Sequence, residues 1–173
     1  FVISFQEGGG DVFNPIRERI RKHKTKIRTG GSDYLTFALL DVVIDNYIYI
    51  VSLLGERIES LEDRMTDTFN KQMPGIINTY KQELNYLRRN IKPAREMILT
   101  LAKMETEFIH KTNRVNYKEL QDNINEANEL ADSYREMLYD LLNIYHTTAT
   151  TRLNDIIKLL TIISVIFIPL TFI

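Results

Sequence analysis

Residues 159–173 read LLTIISVIFIPLTFI and end a stretch, Asn116 to Ile173, that contains no glycine and a single proline, Pro169. A continuous helix over that stretch would be about 87 Å long at about 1.5 Å per residue. Residues 159–173 carry no charged side chain, yet a membrane-spanning helix needs about 20 apolar residues. The stretch therefore predicts one very long helix that ends in a transmembrane helix cut part-way.

One face of this helix is small and mostly polar. Its members recur at alternating steps of three and four residues, which places them on the same side. They are Asn143, Thr147, Thr150, Asn154, Ile157, Thr161, Ser164, Ile168 and Thr171. In lipid, polar residues turn toward a bundle interior or a water-filled path. Periodicity alone leaves two interpretations open: a wet, uncharged pore formed by several copies around an axis, or a packing seam between helices.

Composition excludes several classes of function. The chain has 173 residues, which is enough for one domain. It has no cysteine, which excludes disulfides and thiolate chemistry. Its net charge of −1 gives no overall positive potential that would attract nucleic acid. The three histidines, His23, His110 and His146, are too scattered for a metal-ligand set. Because no pair of nucleophile and base is visible either, we expect no enzymatic activity.

The amino-terminal part predicts a strand and then a basic helix. Phe1 to Phe5 (FVISF) is β-prone and precedes a glycine turn, so it reads as a single strand whose partners lie outside this chain. Asn14 is the expected N-cap of a helix that runs to Arg28 with a net charge of +6. Such a run is compatible with nucleic acid, anionic lipid, solvent or an acidic protein surface.

Two long helices should follow and form an antiparallel hairpin. The first is expected from Ser32, as its cap, to about Phe69, and the second from Gly75 to Met104 with a kink at Pro93. The expected inward residues of the first are Leu35, Ala38, Leu39, Val42, Val43, Asn46, Ile50, Leu53 and Leu54, with Gly55 as a weak point. Those of the second are Ile77, Tyr80, Leu84, Leu87, Ile91, Ile98 and Leu101.

The early part of the last helix carries two further patterns. A heptad seam, typical of a coiled-coil-like stalk, runs through Leu120, Ile124, Ala127, Ala131, Tyr134, Leu138, Leu141 and Tyr145. A different face carries an acidic stripe: Glu119, Asp122, Glu126, Glu129, Glu136 and Asp140. The stripe is either a solvated surface or a divalent-cation site between subunits, since hard cations bind carboxylate oxygens. Arg152 and Lys158 precede the apolar end and predict a cytoplasmic location for everything before Leu159.

Several segments resemble the CorA-type magnesium transporters, in order and at suitable intervals. They are FQEGGGDVFNPIRERIR, GGSDYLTFALLDVVID, ELNYLRRNIKPARE, YREMLYDLLNIY and LTIISVIFIPLTFI. In that family a Gly-Met-Asn signature and a second transmembrane helix follow, and an α/β domain precedes; we expect this chain to be a middle fragment that cannot itself transport. The domains expected are 1–13 (last strand and loop of the α/β domain), 14–31 (basic helix), 32–115 (hairpin), 116–158 (stalk) and 159–173 (truncated first transmembrane helix).

The resemblance also implies a function and its residues. CorA-like proteins are homopentamers of the cell (inner) membrane whose first transmembrane helix lines the pore. On that basis Asn154 forms a polar ring, Ile157 and Leu160 an apolar constriction, and Ile168 and Thr171 lie further along the pore. The family transports Mg²⁺ and is gated by Mg²⁺ bound between cytoplasmic domains, a role that falls on Glu119 and Asp122. Glu119 stands where the family has an aspartate, and Asn143 replaces an aspartate at the pore mouth.

The fold class expected is therefore mainly α: a long antiparallel hairpin, a very long stalk helix and a remnant strand. The alternative to a channel is a membrane-anchored helical coiled-coil interaction protein, which would also show heptads and an apolar end. A simple anchor gains nothing from a polar face that crosses into its apolar segment, and this favours the channel.

Overall fold

The computed structural model describes residues 1–6, 9–22, 26–67 and 70–171. Its four α-helices are α1 (Asn14–Arg21), α2 (Gly31–Asp67), α3 (Met73–Lys103) and α4 (Arg114–Thr171). Two short 3-10 turns, Lys26–Arg28 and Lys111–Asn113, precede α2 and α4. The mainly α fold expected from the sequence is confirmed.

The expected strand is not formed by residues 1–6, which have no regular secondary structure. Phe1, Ile3 and Phe5 are exposed. A strand needs backbone partners, and no neighbouring strand occurs among the described residues.

Helix α1 is shorter than predicted and is capped differently. Asn14 is its first helical residue, and the N-cap is Phe13, whose N–H donates to the Asp11 carboxylate over 3.0 Å. Asp11 also pairs with Arg17 one turn into the helix. The helix ends at Arg21 rather than Arg28; residues 23–25 of the predicted span lie outside the described residues. Ile16 of α1 and Ile27 of the following turn are buried and anchor this basic segment.

Helix α2 begins at Gly31, and Asp33 rather than Ser32 organises its start. Gly31 has φ +86°, a conformation that suits glycine. The side chain of Asp33 is 1% exposed, and its Oδ2 accepts from His110 N at 2.8 Å and Asn113 Nδ2 at 2.9 Å. His110 Nδ1 lies 2.9 Å from the same oxygen, and Tyr117 donates its hydroxyl to the Asp33 carbonyl. These bonds tie the start of α2 to the start of α4.

Helices α2 and α3 both pack along α4. Asp33 meets Asn113 and Glu59 meets Tyr134, so α2 runs parallel to α4. Arg88 pairs with Asp132 and Arg95 with Asn125, so α3 runs antiparallel to both. The predicted seam lies inside this bundle: Leu120, Ile124, Ala127, Ala131, Leu138 and Leu141 are buried, and Tyr134 and Tyr145 are half-buried. Helices of the same chain fill the stalk's heptad face.

The buried face predicted from the sequence agrees better with the structure for α3 than for α2. In α3, Ile77, Leu84, Ile91 and Ile98 are buried as expected, and the helix continues through Pro93. In α2, Ala38 and Leu54 are buried, but Ile50 and Leu53 are 36% and 38% exposed. The α2 residues that the expected face omitted, and that are buried, are Phe37, Ile44, Val51, Ile58 and Leu61. The buried face of α2 is rotated toward α4 relative to the expected face, because α2 packs mainly on α4 rather than on α3.

Helix α4 is unbroken over 58 residues, and its carboxyl-terminal end projects from the bundle. Beyond Ala149 its described side chains are exposed, apart from a half-buried Ser164. The 22 residues from Thr150 to Thr171 would extend about 33 Å, close to the thickness of a bilayer's hydrocarbon core of about 30 Å.

Candidate functional site

The polar face of α4 lies open along the projecting end. Asn143, Thr147, Thr150, Asn154, Ile157, Thr161 and Ile168 are exposed, and Ser164 is half-buried. The side chain of Thr171 lies outside the described residues. The single chain leaves this face uncovered, as either a pore or an intersubunit seam requires.

Hydroxyl groups on this face donate back to the helix. Thr150 Oγ1 donates to the His146 carbonyl at 2.9 Å, Thr161 Oγ1 to Ile157 at 2.8 Å and Ser164 Oγ to Leu160 at 2.9 Å. A hydroxyl has one proton and two lone pairs. Because each proton is bonded to a backbone carbonyl, each hydroxyl oxygen can act only as a hydrogen-bond acceptor toward groups along the polar face. The water molecules around a cation are hydrogen-bond donors and are therefore suitable partners.

The proposed constriction residues are open in the single chain. Ile157 is 51% exposed and Leu160 is 63% exposed. They lie beside the last charged groups of the helix, where Lys158 Nζ pairs with Asp155 Oδ1 at 3.6 Å. Every large apolar side chain described from Leu159 to Ile168 is at least 44% exposed. This surface needs lipid or neighbouring helices to cover it.

The acidic stripe is exposed, and one of its members joins acids of α2. Burial is the largest cause that raises the pKa of Asp41, followed by repulsion from Asp45 and from Glu119. Arg19 of α1 acts in the opposite direction but does not overcome them. Asp41, Asp45 and Glu119 therefore form an electrostatically coupled group at the α2–α4 boundary.

Sequence reasoning missed Asp41 and Asp45. They are four residues apart and so share a face of α2, a signal that was visible. The closeness of Asp41 to Glu119 could not be seen in the sequence, because it depends on the register of α2 along α4. Within the described ranges, no group of three or more histidine, aspartate or glutamate side chains converges closely enough to hold a metal ion.

By length and composition, one described helix could cross a membrane, and it lies within Gly31–Met65 of α2. Only 28% of its most apolar stretch is buried in the chain. In the bundle, however, this helix runs beside the part of α4 that carries Glu119, Asp122 and Glu126. Placing α2 in a bilayer would carry those charges into hydrocarbon at high cost. We therefore interpret α2 as a bundle helix.

Comparison with known proteins gives a consistent result. The family described as CorA-like Mg²⁺ transporter protein matches residues 1–173. A cobalt/magnesium transport protein CorA of Thermotoga maritima is 33% identical over 172 residues, which cover 99% of this chain and 49% of the relative. A putative metal ion transporter of Bacillus subtilis is 27% identical over 174 residues, covering 100% and 54%. The chain thus spans about half the length of the curated relatives that it matches.

Solved structures show the same fold. The complete structure of the CorA magnesium transporter from Methanocaldococcus jannaschii superposes with a TM-score of 0.77 at 20% identity, covering 90% of this chain and 50% of that one. The soluble domain of the same archaeal protein gives a TM-score of 0.67 at 19% identity, covering 79% and 55%. At these identities the likeness concerns the fold alone.

Proposed function

This chain belongs to the CorA-like Mg²⁺ transporter family, and we propose that it supplies the stalk and the first pore-lining helix of a divalent-cation channel. The cargo is Mg²⁺, and the Thermotoga relative, a cobalt/magnesium transport protein, adds cobalt as a second candidate. The working unit is a homopentamer in the cell membrane, with residues before about 159 in the cytoplasm. The role is transport rather than catalysis.

The observation that carries the proposal is the open polar face of α4. Around a symmetry axis, the ten pore-lining positions would be this face together with Leu160. The hydroxyl oxygens of Thr150, Thr161 and Ser164 keep their lone pairs outward because their protons bond the helix backbone. Mg²⁺ gives up its water reluctantly, so neutral acceptors for its hydration water suit passage of the hydrated ion.

Ile157 and Leu160 would form the gate. Both are apolar and lie next to the polar ring of Asn154. A narrow apolar ring closes to ions when water leaves it. Small movements of α4 then change the ring's diameter and open or close the path.

Regulation would use carboxylates at the other end of the stalk. Glu119 already repels Asp41 within one chain, and a neighbour's acids would add to this, since two like charges 4 Å apart repel by about 4 kcal/mol at an effective dielectric of 20. Mg²⁺ bound at Glu119 and Asp122 between subunits would remove that repulsion and hold the pore closed. Because ligand binding and closure are coupled, each must favour the other.

The alternative, a membrane-anchored coiled-coil interaction protein, is weakened by the packing. Its partner would dock on the heptad seam, but α2 and α3 already bury that seam.

Transport by the full-length protein in liposomes loaded with a Mg²⁺ indicator tests the proposal. Unmodified protein should admit Mg²⁺ down its gradient. Thr161→Val removes a hydroxyl from the polar face and should reduce flux severalfold, whereas Ile163→Val, on the far side of α4, should leave it unchanged. Absence of flux from correctly assembled protein would exclude a channel.

A further inference from the structure

The basic segment, which we define as α1 together with the turn Lys26–Arg28, has cations left over after its internal contacts. Arg17 pairs with Asp11 and Lys22 with Glu18. Lys26 lies over the Tyr34 ring at 4.7 Å. Arg21 and Arg28 are exposed, and neither has an ion pair with a residue in the described ranges.

The position of this segment argues against a lipid partner. Arg19 and Glu119 both act electrostatically on Asp41, so α1 lies at the height of Glu119 on α4. Glu119 and Leu159 are 40 residues apart on one unbroken helix, which corresponds to about 60 Å. The Debye length at physiological salt is about 8 Å. If the apolar end of α4 lies in a bilayer, the basic segment does not reach anionic headgroups.

The acidic stripe offers a surface of opposite charge at that same height. Glu119, Asp122 and Glu126 are exposed, and none has an ion pair in the described part of the chain. In a ring of copies with parallel α4 helices, one chain's α1 lies at the height of the next chain's Glu119. The turn Lys26–Arg28 lies nearer the start of α4, where Asn113 donates to the Gly30 carbonyl at 3.2 Å.

We propose that the basic segment, through Arg21 and Arg28, docks on Glu119, Asp122 and Glu126 of α4 in a second copy of the chain, where it competes with Mg²⁺. The inference rests on the proposed function for the parallel arrangement of copies and for Mg²⁺ at these acids. Guanidinium groups bind carboxylates through paired, charge-assisted hydrogen bonds. An oxygen engaged in this way is less available to the metal, so the docked arginines represent the low-Mg²⁺ state.

Disulfide trapping tests the contact, since these 173 residues contain no cysteine. In a cysteine-free full-length background, chains with Thr29→Cys, next to Arg28, and differently tagged chains with Val115→Cys, one turn before Glu119 on the same face of α4, are co-expressed and oxidised in membranes. Both positions are exposed, and these substitutions retain the docking arginines and all three carboxylates. A doubly tagged dimer should form in EDTA, and its yield should fall severalfold as Mg²⁺ rises to millimolar levels. The matched control replaces Val115→Cys by Glu136→Cys, on the stripe but about 32 Å further along α4, and should give little dimer.

Each other outcome overturns part of the proposal. No doubly tagged dimer, or equal yield with Glu136→Cys, excludes the docking. A specific dimer whose yield ignores Mg²⁺ excludes the shared carboxylates. As a second measurement, salt should dissociate the unmodified oligomer more readily in EDTA than in Mg²⁺, because salt screens the docking contact. Arg21→Glu with Arg28→Glu should remove this difference between EDTA and Mg²⁺; a difference that persists in the variant excludes the docking. Flux through unmodified protein is recorded in parallel, so that failure of the channel itself is recognised separately.

Discussion

The ring of Tyr134 on α4 lies directly over Gly55 on α2, so close that a methyl group on Gly55 would overlap it. The Tyr134 hydroxyl continues to Glu59 one turn further along α2, at 3.4 Å. Gly55 is thus not a weak point of the helix but the place where an aromatic ring of α4 fits against α2.

Gly55→Ala should therefore destabilise the bundle. Alanine alone would favour a helix by about 1 kcal/mol, but overpacking a tight contact costs about 1–3 kcal/mol, so the net loss should be visible as a lower melting temperature. Gly75→Ala is the matched control, because a Cβ there meets nothing within 4 Å. If Gly55→Ala melts no lower than Gly75→Ala, the ring does not occupy this position.

Asp33 should be the most damaging acidic residue to neutralise. It is buried and its Oδ2 receives the His110 N–H and the Asn113 amide. Hydrogen bonds to a charged group contribute about 1.5–3 kcal/mol, so Asp33→Asn should lower the free energy of unfolding by about that amount. Asp140→Asn, at an exposed position of α4, should change it little.

The same site predicts a pH dependence. Burial alone would raise the pKa of Asp33, but hydrogen bonds from Asn113 and from the backbone and ring of His110 outweigh it and lower the pKa well below its usual range. A carboxyl group whose pKa is lowered in the folded state contributes its full stabilisation above its ordinary pKa of about 3.9. This stabilisation of the folded state is lost progressively as the pH falls below that value. Unfolding measured from pH 6 to acid should show a steeper loss in the unmodified protein than in Asp33→Asn; parallel curves would contradict this origin.

A polar ladder fixes the register of α3 on α4. Lys81 lies over the Tyr139 ring at 4.1 Å, Arg88 pairs with Asp132, and Arg95 Nε donates to Asn125 at 2.7 Å. The partners advance by seven residues on α3 and retreat by seven on α4, as antiparallel heptads require. A slip along the helices would separate all three pairs.

Removal of the middle pair should therefore loosen α3. Arg88 is 13% exposed. Arg88→Ala should reduce stability by about 1–3 kcal/mol because the partly buried Asp132 loses its charged partner and keeps only the hydrogen bond from Asn128. The neighbouring Arg89 is exposed, and Arg89→Ala should stay within about 0.5 kcal/mol of the unmodified protein. Hydrogen exchange should also rise along α3 in the first variant only. Equal effects of the two substitutions would mean that the ladder is not a stabilising contact.

Features that depend on helical periodicity can be predicted from this sequence, whereas features that depend on the register between helices cannot. The buried seam from Leu120 to Leu141 follows from helical spacing, and the unbroken α4 follows from the absence of glycine and the single late proline. The buried face of α2 was placed too far toward Ile50 and Leu53, because an apolar helix surface does not reveal which neighbour covers it. The sequence pattern assigns the start of α2 to Ser32, a typical capping residue, rather than to Asp33. The role of Asp33 is not visible in the sequence because its partners, His110 and Asn113, are far away along the chain. The same limit hid Asp41 and Asp45.

The regulatory proposal can be tested through protease protection. In full-length protein, Glu119→Gln with Asp122→Asn should shift the Mg²⁺ concentration that protects the cytoplasmic bundle, because metal-binding carboxylates are lost. Asp41→Asn should shift it too if the coupled group contributes to the site. The matched control is Glu136→Gln with Asp140→Asn, which removes the same charge further along the stripe. If the first pair leaves protection untouched, the stripe near Glu119 is a solvated surface.

The pore proposal makes its sharpest prediction at Ile157. A ring of isoleucines excludes water, and thereby ions, only while it stays narrow and apolar. Ile157→Ser should admit water and raise Mg²⁺ leak through the full-length protein, whereas Ile157→Phe narrows the ring and should reduce flux. Ile156→Ser is the matched control one residue away. An increase in leak with Ile156→Ser as large as with Ile157→Ser would show that the effect comes from helix packing rather than from the pore.

Thiol labelling decides which face of α4 meets the axis. In the single chain, Ile156 and Ile157 are 63% and 51% exposed, so exposure alone does not separate them, whereas successive residues point about 100° apart on a helix of about 3.6 residues per turn. Cysteines at Asn154 and Ile157 should react with a charged, water-soluble reagent entering the pore and should cross-link between subunits. A cysteine at Ile156 should face lipid or a neighbouring helix and react slowly, because thiolate formation is suppressed in apolar surroundings. Equal labelling at Ile156 and Ile157 would place the axis on a different face and would remove Asn154, Thr161 and Ser164 from the ion path together.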